Sequence, residues 1–259
     1  MRCSLDRNIP SYVVHYTPNV QRRKILENVH KREQLENVTW ITEYDKEVIT
    51  YEMYTKAFQA DHLEYQKRGQ DPNEFFPHYP LQPAMVSLQL KQKEAFRRIG
   101  YGNAPFGIMF EDDAIICENF RERFRGYMEE IPSNWDVAFI GQGGGKRIKE
   151  VKEGVHWYLK GHPADRCADS VIFKKEAALK IYTHMEAHKV CFNPDPELGF
   201  WMKVLSMNVY WLEPPIVVQG SQNGLYETVQ PLHSRFIDLT MQVRSDMVDI
   251  LKEVNSNIM

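Results

Sequence analysis

The chain has 259 residues, of which 43% are hydrophobic, 12% aromatic and 26% charged. That is a globular composition, and it excludes intrinsic disorder, a collagen-like fibre and a membrane-embedded chain. Lys plus Arg is 32 against 35 for Asp plus Glu, a formal charge of -3, which argues against nucleic acid as the main partner.

Ile9 to Tyr16 (IPSYVVHY) reads as a first strand centred on Val13-Val14. Thr17-Pro18-Asn19 then turns into a helix with Arg22, Arg23, Ile25, Leu26 and Val29. Val38 to Ile41 is a second strand, followed by Thr42-Glu43-Tyr44-Asp45. Strand, helix, strand in that order predicts a βαβ unit on a parallel sheet. Gln66 to Pro83 is a proline-rich loop studded with aromatic residues, and Pro83 opens a helix carrying Met85, Leu88, Gln92, Ala95, Phe96 and Ile99. Phe106 to Phe110 (FGIMF) is the unbroken apolar run of a buried central strand, with Glu111-Asp112-Asp113 straight after it.

Phe120 to Ile131 follows helical spacing, and Asp136 to Ile140 is another buried strand, ending in the glycine-rich Gly141 to Gly145. Further strands are expected at Val155 to Leu159, Ser170 to Phe173 and Val209 to Leu212, with a helix marked by Ala178, Ile181 and Met185. Phe236, Leu239, Val243, Met247, Ile250, Leu251 and Val254 mark a C-terminal amphipathic helix over about 236–254, better suited to packing or a dimer than to an anionic membrane. One α/β domain spanning 1–259 with a mostly parallel central sheet is expected.

No apolar run reaches the roughly 18 residues of a transmembrane helix. Arg2, Asp6 and Arg7 interrupt any signal-peptide core, so the cytoplasm is the expected location. Cys3, Cys117, Cys167 and Cys191 have no CxxC spacing and are expected as free thiols. The run after Gly141 is not a phosphate-binding GxxxxGK[ST] loop, because Arg147 follows Lys146. His184 and His188 lack the HExxH order of a zinc protease, so a solvated helix face is expected there.

The acidic triplet is the most informative feature. Three adjacent carboxylates repel one another unless solvated or paired with cations. They follow a buried strand, and the carboxyl edge of an open α/β sheet is where ligands bind. Hard oxygen ligands in a row suit Mg²⁺ or Mn²⁺, which bridge carboxylates to phosphate oxygens. The plain alternative is a solvated acidic turn.

In chain order, Tyr12 to Tyr16 with Arg22, Ser87 to Lys91, Phe110 to Asp113, Trp135 to Gly141, Asp169 to Phe173, Pro194 to Leu198, Trp211 to Pro215 and Gln219 to Ser221 form a series. This series resembles glycosyltransferase family 25, the lipopolysaccharide-type transferases, with their viral and eukaryotic relatives. The similarity runs from about Tyr12 to Gly224 and lies in the order of the motifs. Many members have Ser-His where this chain has Ser87-Leu88. The resemblance implies a GT-A fold, a nucleoside-diphosphate sugar (UDP-linked first), a glycan acceptor, Mn²⁺ or Mg²⁺, and inversion at the anomeric carbon.

It also implies roles. Asp113, helped by Asp112, would hold the ion, and His233 would be a third ligand. Glu111 would orient the turn. Asp195 or Glu197 would be the base that takes the acceptor proton, with Asp195, on a stiff mount between Pro194 and Pro196, preferred because it fits the family's acidic segment best. Thr17, Arg22, Tyr44, Asp45, Ser87 and Lys91 would contact the donor, and Gly220 and Ser221 would add late contacts. Trp201 is a candidate for acceptor stacking, whereas Trp40, Trp157 and Trp211 are expected in the core. Two other functions fit the same acids: a metal-dependent phosphohydrolase, and a non-catalytic nucleotide- or carbohydrate-binding module.

Overall fold

The computed structural model describes residues 9–59, 81–143, 146–221 and Tyr226. Outside the described residues lie the loop segment 66–80, Gly144, Gly145, His233, Cys3 and the helix expected at 236–254. Strand β1 (Ser11–Val14) leads into α1 (Val20–Arg32), β2 (Val38–Ile41), a 3-10 turn at Lys46–Val48 and α2 (Tyr51–Ala57). Next come α3 (Pro83–Tyr101), β3 (Phe106–Glu111), β4 (Ala114–Ile116), α4 (Phe120–Glu130), β5 (Val137–Phe139) and β6 (Trp157–Lys160). The rest is β7 (Ser170–Lys174), α5 (Lys175–Ala187), α6 (Pro194–Val204), β8 (Val209–Leu212) and β9 (Val217–Gln219).

One sheet of seven strands has the order β2-β1-β3-β7-β5-β8-β6. β2, β1, β3, β5 and β8 run one way, and β7 and β6 run against them. The α/β class is as expected, with a mixed, mainly parallel sheet. On one face Leu26 of α1 and Phe120 and Phe124 of α4 pack against Val13, Ile108 and Phe110. On the other, Phe96, Ile99, Ile181 and Trp201 pack against Val14, Met109, Val171 and Phe173. Burial on both faces is why FGIMF is apolar throughout instead of alternating.

The β1–α1–β2 connection covers one face and β2–α3–β3 crosses the other. The winding therefore reverses between β1 and β3, and the crevice beyond their carboxyl ends is the place such sheets offer to a ligand. β7 is antiparallel to β3, with Phe110 opposite Ser170. Its reversal brings the start of β7, not its end, to the same edge.

Strands β4 and β9 and the burial of Trp201 differ from expectation. β4 and β9 pair antiparallel, Ala114 opposite Gln219 and Ile116 opposite Val217, in strands too short to show a period. Asn193 is the N-cap of α6, and Pro194 to Pro196 lie in its first turn. Pro194 and Pro196 fit there because the first helical turn needs no amide partners. Trp201 is buried in the core at 2% exposure, so it is no stacking surface for an acceptor. Cys117, Cys167 and Cys191 are free thiols. No described helix is long and apolar enough to cross a membrane.

Phe96 ties α3 to the sheet, its ring 5.0 Å from that of Phe173. Truncating a fully buried Phe leaves a cavity, so Phe96→Ala is expected to cost about 3–5 kcal/mol. Urea melts followed by circular dichroism read this as a lower midpoint.

Candidate active site

Asp112 stands in the turn between β3 and β4. Its Oδ2 accepts from His15 Nδ1 at 2.9 Å and from the Tyr16 amide at 3.1 Å, and its Oδ1 accepts from Arg22 at 2.9 Å. Burial opposes its charge, but His15, Arg22 and the Tyr16 amide outweigh that and hold the carboxyl below its usual range. Both oxygens are engaged. Asp112 thus locks the end of β1 and the start of α1 to β3.

A second network sits beside it. The buried Lys91 ammonium donates to the His15 carbonyl and to Asp45. The Thr17 hydroxyl also donates to Asp45. Burial raises the Asp45 carboxyl, and Lys91 and Thr17 overcome that to hold it below its usual range. Ser87, one turn before Lys91 on α3, donates to the carbonyl of Tyr44, whose backbone is left-handed at φ 67°. The six expected donor contacts Thr17, Arg22, Tyr44, Asp45, Ser87 and Lys91 therefore lie together at the ends of β1 and β2. Arg22 and Lys91 are already paired with carboxylates, so neither is a bare phosphate-binding cation.

The other carboxylates lack such partners. Glu111 is half-buried at the end of β3, and its amide donates to the Asp169 carbonyl at 3.0 Å. Asp169, just before β7, is fully buried, and its Oδ1 has no hydrogen-bond partner among the described residues. Asp113 is 4% exposed. Its Oδ2 accepts from the Ser221 amide at 3.3 Å and from the Ser221 hydroxyl, while its Oδ1 has no partner among the described residues. The Gly220 amide donates to the Asp113 carbonyl at 2.8 Å. Asp195, in the first turn of α6, is half-buried and accepts at Oδ1 from the Ala168 amide at 2.9 Å.

Burial pushes all four of these carboxyls up. Repulsion from Asp113 adds to it for Glu111 and Asp169, and repulsion from Asp165 adds to it for Asp195. The Ser221 bonds and Arg22 only partly relieve Asp113. The Cys167 thiol, also raised by burial and by Asp195, bonds to Asp195.

The loop bearing Cys167 and Asp169 is pinned from below. Arg166 is fully buried and donates to the Lys146 carbonyl at 2.8 Å, the Leu212 carbonyl at 2.9 Å and Glu213 at 2.6 Å. Gly141 and Gly143 let β5 run against this loop. A Cβ at Gly141 would stand 1.9 Å from Asp169 Oδ2, and one at Gly143 1.7 Å from the Arg166 carbonyl. Over the other side, the Arg22 guanidinium lies 5.1 Å from the Tyr226 ring.

Glu197 does not join the acidic edge. It is fully buried, and its Oε2 accepts from the amides of Cys191 at 3.2 Å and Phe192 at 2.8 Å, so it holds the entry to α6. His184 on α5 and His188 at its C-cap have ring centroids 4.3 Å apart. The residues that motif reading left without a role are His15 and Asp169. The usable signal for Asp169 was a charge set directly before a buried strand, the mirror of the triplet set directly after one.

Among the described residues, no three His, Cys, Asp or Glu side chains come close enough to enclose a metal by themselves. Two buried carboxylate oxygens without partners do fit a hard divalent ion that completes its shell with water and phosphate oxygens. No protein-family profile matches the chain, and no curated protein matches it in sequence.

Carboxyls raised in the fold bind protons more tightly folded than unfolded. Their contribution to stability is largest near the ordinary carboxylate range and is lost as pH rises through the raised values. Asp112 and Asp45, lowered in the fold, lose theirs only on stronger acidification. In EDTA, the melting temperature is therefore expected to fall over the interval in which pH rises above the ordinary carboxylate range. Thermal melts across that interval check the sign. Glu197→Ala leaves two buried amides unpaired and is expected to lower the melting temperature by several degrees, at about 1–3 kcal/mol.

Proposed function

We propose that the protein is a metal-dependent glycosyltransferase of the GT-A type. It moves a sugar from a nucleoside-diphosphate sugar, UDP-linked first, to a hydroxyl of a glycan acceptor, with inversion. The observation that carries this reading is the meeting of Glu111, Asp113, Asp169 and Asp195 at the carboxyl edge, next to the His15–Lys91–Asp45 network. The doubly covered sheet, with β7 reversed inside it, supports the GT-A assignment. So does the order in which the family-25-like motifs fall on this edge.

Asp113 would hold the ion, Mn²⁺ or Mg²⁺, through its unpartnered Oδ1. When bound, the ion neutralises charge on the departing diphosphate. Asp195 takes the acceptor proton. The Ala168 amide fixes its carboxylate, and its raised pKa makes it a stronger base than an ordinary Asp. Glu111, 3.3 Å from the Gln219 amide nitrogen, keeps the end of β3 in register with β9. Asp45 and Thr17, with Lys91 behind them, face the ribose and base. The inverting geometry needs base and leaving group on opposite sides of the sugar, by the logic of inverting glycoside hydrolysis.

The test is a panel of nucleotide sugars with Mn²⁺, read as release of free nucleoside diphosphate. One donor is expected to turn over slowly. Asp113→Asn and Asp195→Asn are each expected to reduce that rate by about a hundredfold or more. Activity should fall in acid with a midpoint above 3.8, the ordinary value for Asp. Phosphoester turnover with no sugar dependence would replace the transferase reading with a phosphohydrolase. Nucleotide binding without turnover in the wild type and in Asp195→Asn would replace it with a binding module.

A further inference from the structure

We infer that Asp169 is the second protein ligand of a divalent-cation site shared with Asp113, in the role the family resemblance implies for Asp112. The inference deepens the transferase reading and rests on it for the purpose of the ion.

The geometry closes from three sides. Phe110 pairs with Ser170, and the Glu111 amide donates to the Asp169 carbonyl, so the start of β7 lies against the end of β3. Gly141 touches Asp169 and also bridges Val217 of β9. β9 in turn pairs with Ala114, the neighbour of Asp113, and its continuation at Gly220 and Ser221 bonds Asp113 directly. Asp113 and Asp169 therefore both lie beside the Gly141–β9 contact, near enough to repel each other. Each is buried, and each keeps one oxygen without a hydrogen-bond partner among the described residues.

A buried anionic oxygen without a donor is costly, and two of them side by side repel. Asp112 solves this with His15, Arg22 and an amide. Ser170 offers Asp169 only a long 3.4 Å bond, and that to Oδ2. Arg166 turns its guanidinium to Lys146, Leu212 and Glu213. A hard cation held by two carboxylates and finished by water and diphosphate oxygens satisfies both orphans at once. Oxygen ligands alone select Mg²⁺ or Mn²⁺ over softer metals.

The experiment is titration of the full chain with Mn²⁺ alone, read by loss of the free-ion electron paramagnetic resonance signal, then repeated with UDP present. Asp113→Asn and Asp169→Asn are each expected to weaken Mn²⁺ binding tenfold or more. Thermal melts guard against misfolding. If Asp169 is a ligand, Asp169→Asn relieves repulsion, raises the EDTA melting temperature and abolishes the rise that Mn²⁺ gives the wild type. Wild-type Mn²⁺ affinity in Asp169→Asn, or a lower EDTA melting temperature with the Mn²⁺ rise intact, would overturn the inference by making Asp169 a structural acid. Donor hydrolysis by Asp169→Asn at an unchanged Mn²⁺ requirement would do the same and leave the transferase standing. Mn²⁺ binding that needs both carboxylates, with no donor hydrolysed, would support the cation site and remove the transferase.

Discussion

Negative charges crowd one buried edge of this sheet, and much of the local structure answers their repulsion. Two unit charges about 4 Å apart cost roughly 4 kcal/mol at the effective dielectric of a protein surface. The chain meets that cost in two ways. Asp112 and Asp45 are matched inside the protein by Arg22, His15, Lys91 and nearby hydroxyl and amide donors. Asp113 and Asp169 are not matched, and their raised pKa values record it. The edge is thus split into a neutralised half by β1 and β2 and an electron-rich half by β3 and β7.

The fold builds that division with few pieces. Sheet burial on both faces forces polar groups to the strand ends, and the acids of this edge collect there. The reversed β7 delivers an acid from the wrong end of a strand. Arg166, held by two carbonyls and Glu213, fixes the loop that carries this acid and presents the Ala168 amide to Asp195. Glu197, two residues along α6, faces the other way and secures the helix entry. One short helical turn thereby separates a reactive acid from a structural one.

Much of this was legible in the sequence. FGIMF is apolar because both sheet faces are covered there, and such a run survives any reading. The acidic triplet announced the edge because three like charges after a buried strand need a reason. The division of labour within the triplet was not legible. Asp112 and Asp113 are adjacent and chemically identical, and only the distant Arg22, His15 and Ser221 tell them apart. Asp195 and Glu197 pose the same problem, since two acids in one turn point to different neighbours. Trp201 looked accessible because it follows a polar segment, but helical phase turns it into the core. β4 and β9 escaped because three residues carry no period.

Gly141 carries a consequence for how this sequence can drift. Its missing side chain is the space in which the Asp169 carboxylate lies. Any larger residue at 141 evicts that carboxylate, and a smaller residue at 169 frees 141 to grow. Selection therefore sees the two positions as one. Among descendants of this chain, a change at 141 without a matching loss at 169 would mark a lineage that has rebuilt, or abandoned, this edge.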